Sequence, residues 1–319
     1  MRIRVLYILN ILFLTTGFTL ICSSQTPSQS KTDDVIACVF RTEIVTLDVQ
    51  VINKKTGQVI DNLRHTDFEI YEDGVAQNIV MMSVGYRDLS VVFLIDTNLA
   101  FIRRDEKLEE HFTEVIQSFG IKSEFAIIGL QENAPIPSQE LTSDHKKLTA
   151  RLRSLKKAPP QVAASNSINE KIRSGVLHLK QASPGLGSKV VIVITGESTS
   201  LLRDRTTLQA LYNSNYIVYG VVVSEGKNGI SVNSALHFYA ENTGGEILHL
   251  QTNRFAEQFV LVANRIRNRY LLGYEPTNEK RDGNFRYVNV GLKAEKKREL
   301  GNVIVHTRLG YYAPSNNEK

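Results

Sequence analysis

The chain has 319 residues, 42% of them hydrophobic, and a formal charge of +5, which allows one large domain or two modest ones with a sizeable core. Its Lys and Arg residues form no long basic block and are not clustered with aromatic platforms, which excludes an ordinary nucleic-acid-binding surface. The only cysteines are Cys22 and Cys38, so no intramolecular disulfide can form once Cys22 is removed with the leader described next.

Met1 to Ile21 combines Arg2 and Arg4 with an apolar run from Val5 through Ile21 and reads as a secretory signal, with cleavage after Ser24 giving a signal peptide over residues 1–24. Lipoprotein processing at Cys22 and a retained membrane anchor are the alternatives. Either way the folded part is expected outside the cytoplasm, whether secreted, periplasmic or envelope-attached. Residues 25–39 begin with a Ser-, Gln-, Thr- and Pro-rich stretch and read as a linker, with Cys38 as a small apolar residue near a strand start.

From Phe40 the pattern alternates. Val45, Leu47, Val49 and Val51 share one face and Thr46, Asp48 and Gln50 the other, which predicts a half-buried strand followed by a turn at Lys54 to Gln58. Strands at Asp67 to Glu72 and Val75 to Val84, joined at Asp73-Gly74, complete a small β unit over residues 40–87.

Ser90 to Ala100 is different. Val91 to Ile95 is apolar without alternation, so both faces should be covered, and it ends abruptly in Asp96-Thr97-Asn98. Similar strands at Glu124 to Leu130, Lys189 to Thr195, Tyr216 to Val223 and Glu246 to Leu250 are separated mostly by helical patterns, which predicts an α/β doubly wound, mostly parallel sheet over residues 88–269. The helices are expected at Arg103 to Phe119, Asp144 to Leu155, Ile168 to Ala182 (N-cap Asn166 or Ser167), Asp204 to Asn215, near Asn233 to Glu241, and from Phe255 onward. The last should carry Arg265, Arg267 and Arg269 on or near its exposed end. Alternating strands return at Tyr270 to Tyr274, Phe285 to Leu292 and Val303 to Leu309, before a tail at 315–319. Since residues 40–87 cannot easily bury their face alone, residues 270–314 are expected to pair with them, making the α/β unit an insertion between the halves of a β sandwich.

Val-Phe-Leu-Ile-Asp96-Thr97-Asn98-Leu99-Ala100 resembles the strand and Asp-x-Ser-x-Ser turn that open the metal-ion-dependent adhesion site of von Willebrand factor A-type (VWFA) domains. The whole chain also resembles the acidobacterial VWFA-related secreted proteins, through Thr66-Asp67-Phe68-Glu69-Ile70-Tyr71-Glu72-Asp73-Gly74, Tyr270-Leu271-Leu272-Gly273-Tyr274 and Gly310-Tyr311-Tyr312-Ala313-Pro314. The resemblance implies a VWFA/Rossmann-like sheet and a degenerate site: Asp96 matches the first Asp, Asn98 and Ala100 replace the two Ser, Ser167 stands for the Thr, and Gly196 or Glu197 falls where a second Asp belongs. The cofactor expectation is none, or Mg²⁺ weakly bound by Asp96, Asn98, Ser167 and a shifted Glu197.

The function expected is protein–protein interaction with another extracytoplasmic protein, without nucleic acid, and with membrane contact only through an uncleaved or lipidated N-terminus. Thr97 and Thr195 beside the site, and Lys146, Lys147 and Arg151 on a basic helix face, are the candidate partner-binding residues. The alternative is a scaffold with a decayed site that binds through the β sandwich or that basic face. An enzyme is not expected, since no Gly-x-Ser-x-Gly elbow, P-loop or His-Glu-x-x-His is present and Asp96, Glu197 and Asp204 lack a nucleophile and base beside them. His178, His237 and His249 have no ligand spacing.

Overall fold

The computed structural model describes residues 44–130, 140–157, 167–184, 187–196, 203–224 and 234–316; the signal, linker and Cys38 readings lie outside them. The parallel sheet consists of β5 (Ser90–Ile95), β6 (Glu124–Gly129), β7 (Lys189–Thr195), β8 (Ile217–Ser224) and β9 (Ile247–Gln251), in the spatial order β6-β5-β7-β8-β9. An antiparallel bridge from Phe125 to Thr142 continues it beyond β6.

Successive side chains of a strand point to opposite faces, so an unbroken apolar run feeds two cores. Val91, Phe93 and Ile95 pack with residues of α2 (Leu108–Ser118), α3 (His145–Lys157) and α7 (Phe255–Arg267). Val92 and Leu94 pack with α4 (Ser167–Lys180), α5 (Arg205–Ser214) and α6 (Ser234–Thr243). Phe93 is the hub of the first core, with ring centroids 5.1 Å from Phe112, 6.0 Å from Phe119 and Phe125, and 6.2 Å from Phe259. The second is aliphatic around Ile172, Val176 and Leu179, the expected inward stripe of α4.

The helix expected over Arg103 to Phe119 is divided into α1 (Ala100–Arg104) and α2. Asp105 makes the break: its carboxylate accepts the Lys107 N–H at 2.9 Å and meets the His111 imidazole at 2.8 Å, a capping arrangement that a continuous helix cannot hold. Hydrophobic spacing carries no record of such a break.

Strands from both ends of the chain pair, as expected. One sheet has the order β12-β1-β10-β4, from β12 (Val303–His306), β1 (Val45–Asn53), β10 (Asn268–Tyr274) and β4 (Ile79–Tyr86). The other has the order β13-β11-β2-β3, from β13 (Gly310–Tyr312), β11 (Phe285–Leu292), β2 (Phe68–Glu72) and β3 (Val75–Gln77). Leu47, Val49, Val51, Tyr270 and Leu272 pack between them against Phe68, Ile70, Val288 and Val290. One single expected strand is split between the sheets. Val75 to Val84 becomes β3, which follows β2 through Asp73 and Gly74 at φ 48° and 83°, and β4, which crosses to pair with β10. The strand expected over Val303 to Leu309 is shorter and ends at His306 as β12, and β13 begins beyond Leu309 on the other sheet. The helix α8 (Ala294–Leu300) between β11 and β12 was not expected.

The polar face of β1 is a correction to the half-buried reading. Asp48 and Gln50 are buried because that face packs on the α/β layers. Asp48 Oδ1 accepts Arg87 and the Ser188 hydroxyl, both at 2.6 Å, and the Gln50 amide donates to the Arg265 carbonyl.

The three terminal arginines also depart from expectation. Arg265 pairs with Glu246 at 3.0 Å, and Arg267 donates to the Ser118 carbonyl. Arg269 lies in β10, only 1% exposed, and donates to the Tyr219 hydroxyl at 2.7 Å, the Gly244 carbonyl at 2.9 Å and the Asp48 carbonyl at 3.0 Å. Gly244 has φ +81°, and a Cβ there would stand 2.6 Å from the Thr307 carbonyl carbon, so this turn is held against the connection that follows β12.

Replacing Arg269 by Met leaves three acceptors buried without their donor and is expected to cost about 3 kcal/mol or more in urea unfolding; a change below about 0.5 kcal/mol would remove Arg269 from this role. His306 supplies a second test. Burial, with Arg269 and Arg265 nearby, pushes its imidazole down to about 4. A base depressed in the folded state stabilises fully above its unfolded value near 6.5 and loses that contribution as pH falls toward 4. Stability should drop across this window by about 2–3 kcal/mol, and His306→Gln should flatten the drop; an unchanged pH profile in the variant refutes it.

Candidate functional site

Open α/β sheets place ligands outside the carboxyl ends of their strands where the strand order reverses. The chain runs from β5 outward to β6, then returns past β5 to β7, so the reversal lies between β5 and β7. Asp96 and Thr195 meet there, because β5 and β7 are paired up to Ile95 and Ile194 and the Asp96 N–H donates to the Ile194 carbonyl at 2.9 Å. Asp96 is 7% exposed, and Thr97 and Thr195 are buried beside it. Asp96 Oδ1 accepts the Asn98 N–H at 2.9 Å, closing a turn that leaves Asn98 exposed and leads into α1. The carboxylate is thus built into the strand end and not free to swing on a loop.

Ser167 is the first residue of α4, whose chain direction brings that end to the same edge; its side chain, and Glu197 as a whole, lie outside the described residues. Asp204 also belongs to this edge, but as a helix cap. Its carboxylate takes the Thr206 and Thr207 hydroxyls, both at 2.6 Å, and the Arg173 guanidinium. The two hydroxyls and the backbone N–H groups of Thr206 and Thr207 hold the carboxyl down at about 2. The Asp204 N–H donates to the Tyr239 hydroxyl, which donates to Asn169 on α4. Sequence reasoning missed this Arg173–Asp204–Tyr239–Asn169 network; the Asp-x-Thr-Thr cap was its one visible sign.

The basic face is not brought to the site. The bridge from Thr142 to Phe125 fixes the start of α3 at the amino end of β6, so Lys146 and Lys147 stand exposed at the edge opposite Asp96. Further along α3, Arg151 donates to the Ile127 carbonyl, Arg153 is doubly bonded to Glu109, and Lys156 donates to the Asp105 carbonyl. Half of the cationic face serves to fasten α3 to its neighbours. Among the three histidines, His178 bonds the Ser174 carbonyl, His237 pairs with Glu241, and His249 lies exposed in β9.

Of the side chains expected to hold a hard divalent cation, only those of Asp96 and Asn98 belong to the described residues. One Asp96 oxygen is occupied by Asn98, Ala100 begins α1 without a donor, and a side chain at Gly196 would meet Leu99 Cδ2 at 3.1 Å from its Cβ. No cluster of three or more His, Cys, Asp or Glu with metal-binding geometry occurs among the described residues, whereas Mg²⁺ requires near-octahedral oxygen coordination.

No protein-family model and no curated protein matches the chain. Its fold is similar to those of von Willebrand factor A-type proteins. A von Willebrand factor type A structure from Catenulispora acidiphila is 10% identical over 80% of this chain and 75% of that one, with a TM-score of 0.43. BatB from Bacteroides thetaiotaomicron is 16% identical over 56% of this chain and 97% of its own, with a TM-score of 0.38. Proximal thread matrix protein 1 of the mussel byssus, with a zinc-occupied MIDAS motif, is 12% identical over 58% of this chain and 49% of that one, with a TM-score of 0.41. These values describe a general likeness of fold and carry no ligand over; the fold class rests on the strand order and helix layers above.

Asp204 yields a test. A carboxyl depressed in the folded state stabilises above its unfolded value near 3.9 and loses that contribution as pH falls through about 2. Asp204→Asn is expected to lower stability at neutral pH by about 1–2 kcal/mol and to reduce the acid-side loss between about pH 4 and 2. Equal stability of the two proteins in urea at pH 7 would contradict the capping role.

Proposed function

We propose that the chain is an extracytoplasmic protein-binding module that offers the carboxyl edge of its parallel sheet, around Asp96, to another protein, without a divalent cation and without catalysis. The observation that carries the reading is Asp96 itself: a buried carboxylate at the reversal of strand order, held by its own turn, beside an exposed Asn98. A buried acid is costly to keep unless hydrogen bonds satisfy it, and those bonds fix the chain around it. Here the Asn98 N–H bond to Asp96 fixes the backbone that a partner would meet. The leader sequence supports an extracytoplasmic setting.

Two measurements test this. Titration calorimetry with Mg²⁺ and with Mn²⁺ is expected to give no saturable heat; a saturable heat abolished by Asp96→Ala contradicts cation independence. Photo-crosslinking from position 98 in cells is expected to give a discrete protein adduct that position 147 does not give. Asp96→Ala should reduce its yield about tenfold, because the turn that presents Asn98 loses the charged acceptor of its N–H. An adduct from position 147 alone would move the interface to the opposite edge.

A further inference from the structure

The two sheets of the sandwich do not meet along the side where β11 and β12 run. β13 pairs with β11 only at residues 285–287, and the Val288 N–H then takes the Leu309 carbonyl at 2.8 Å. Proceeding backward from Leu309, the chain leaves β11 and joins β1 as β12. The result is a fork, with residues 288–292 as one arm and 303–307 as the other.

Both arms turn unused backbone groups inward. In an antiparallel ladder, bonded and non-bonded pairs alternate. The Asp73 N–H to Tyr287 carbonyl and Lys293 N–H to Asp67 carbonyl bonds fix the phase of β2 with β11, so residues 289 and 291 bond β2 while Val290 and Leu292 direct their N–H groups to the opposite edge. The Lys54 N–H to Asn302 carbonyl bond fixes the phase of β1 with β12 in the same way, so residues 304 and 306 bond β1 while Val303 and Val305 face away from it. These four N–H groups have no backbone partner among the described residues.

The space between the arms is a cleft of about 500 Å³ bounded by Val288, Val290, Val305, Thr307 and Leu309, with Tyr71 and Tyr287 at its mouth. A second cleft of about 320 Å³ shares Asn289, Val290 and Val305 and extends to Leu292, Val303 and Lys297. Thr307 Oγ1 lies buried on the β12 arm without a hydrogen-bond partner among the described residues.

We propose that this fork binds an extended segment of a partner protein by adding it as a strand between β11 and β12. The chemistry specifies the occupant. Only a polypeptide in extended form presents donors and acceptors along both of its edges at the spacing of two flanking strands, and peptide capture at exposed sheet edges works in this way. Side chains on one face of the segment would rest on Val290 and Val305 of the sandwich core, and those on the other would lie toward Tyr287 and Asn289. The recognised sequence is therefore apolar at alternate positions. The added strand also closes an edge that would otherwise invite unspecific pairing. This site is separate from Asp96 and goes beyond the function proposed above.

The probe is a capped peptide of about eight residues alternating valine and threonine, with lysine at each end, and a second copy N-methylated at alternate residues. With the purified protein, the first is expected to bind saturably and to slow amide exchange at Val290, Leu292, Val303 and Val305. Val305→Pro and Val290→Pro remove an N–H that the chain itself does not use, and each should weaken binding about tenfold. The N-methylated peptide should lose binding similarly and gives the same reading if a proline variant fails to fold. Absence of saturable binding up to about 1 mM, or equal affinity for the N-methylated peptide, overturns the proposal. So does a dimer in sedimentation whose same four amides are protected before peptide is added, since the occupant would then be a second copy.

Discussion

The structure depends on burying a guanidinium at the boundary between the sandwich and the parallel sheet. Removing a cation from water costs several kcal/mol, and the cost is offset only when fixed acceptors surround it. For Arg269 these are a carbonyl of β1, the Tyr219 hydroxyl of β8 and the carbonyl of Gly244 just beyond α6, contributions from three distant parts of the sequence. Each acceptor is correctly placed only if the other two elements are in position. Asp48 extends the same junction through Arg87 and Ser188, and the Asn242 carbonyl takes the Leu309 N–H. The α/β unit is inserted into the sandwich in sequence, yet it shares one compact unit with it over residues 42–319.

This junction explains where sequence reasoning succeeded. Continuous apolar runs such as Val91 to Ile95 imply two covered faces, and the parallel sheet follows from their repetition. Alternation in β1, β10 and β11 likewise implied strands that need partners from elsewhere in the chain. What alternation cannot tell is whether a polar face meets water or another layer. Thr46, Asp48 and Gln50 read as a solvent face, and Arg269 as a surface charge, because their acceptors lie 25 to 221 residues away for Arg269 alone. The division of Val75 to Val84 between two sheets was hidden for a similar reason: both halves alternate, and only tertiary pairing separates them.

At the candidate site, Asp96, Thr97 and Thr195 were legible because a strand ending in a small polar turn is a local feature, and the topology brings those ends together. The relation of Lys146 and Lys147 to that site was not legible, since the edge at which α3 starts is decided by one bridge, Thr142 to Phe125. The role of Asp204 was half legible. Its Asp-x-Thr-Thr sequence announces a cap, but the arginine and tyrosine that complete the network come from α4 and α6. The fork between β11 and β12 was invisible, because it arises from hydrogen-bond phase and from the short reach of β13.

The central claim is that the junction around Arg269 makes sandwich and parallel sheet one cooperative structure. Native-state amide hydrogen exchange under increasing denaturant measures this directly. Amides of β1 and β10 in the sandwich and of β5 and β7 in the parallel sheet should merge into a single opening with the same free energy and the same denaturant dependence. A sandwich that opens at lower denaturant while β5 and β7 remain protected would contradict the claim and reduce the Arg269 junction to a contact between independently stable parts.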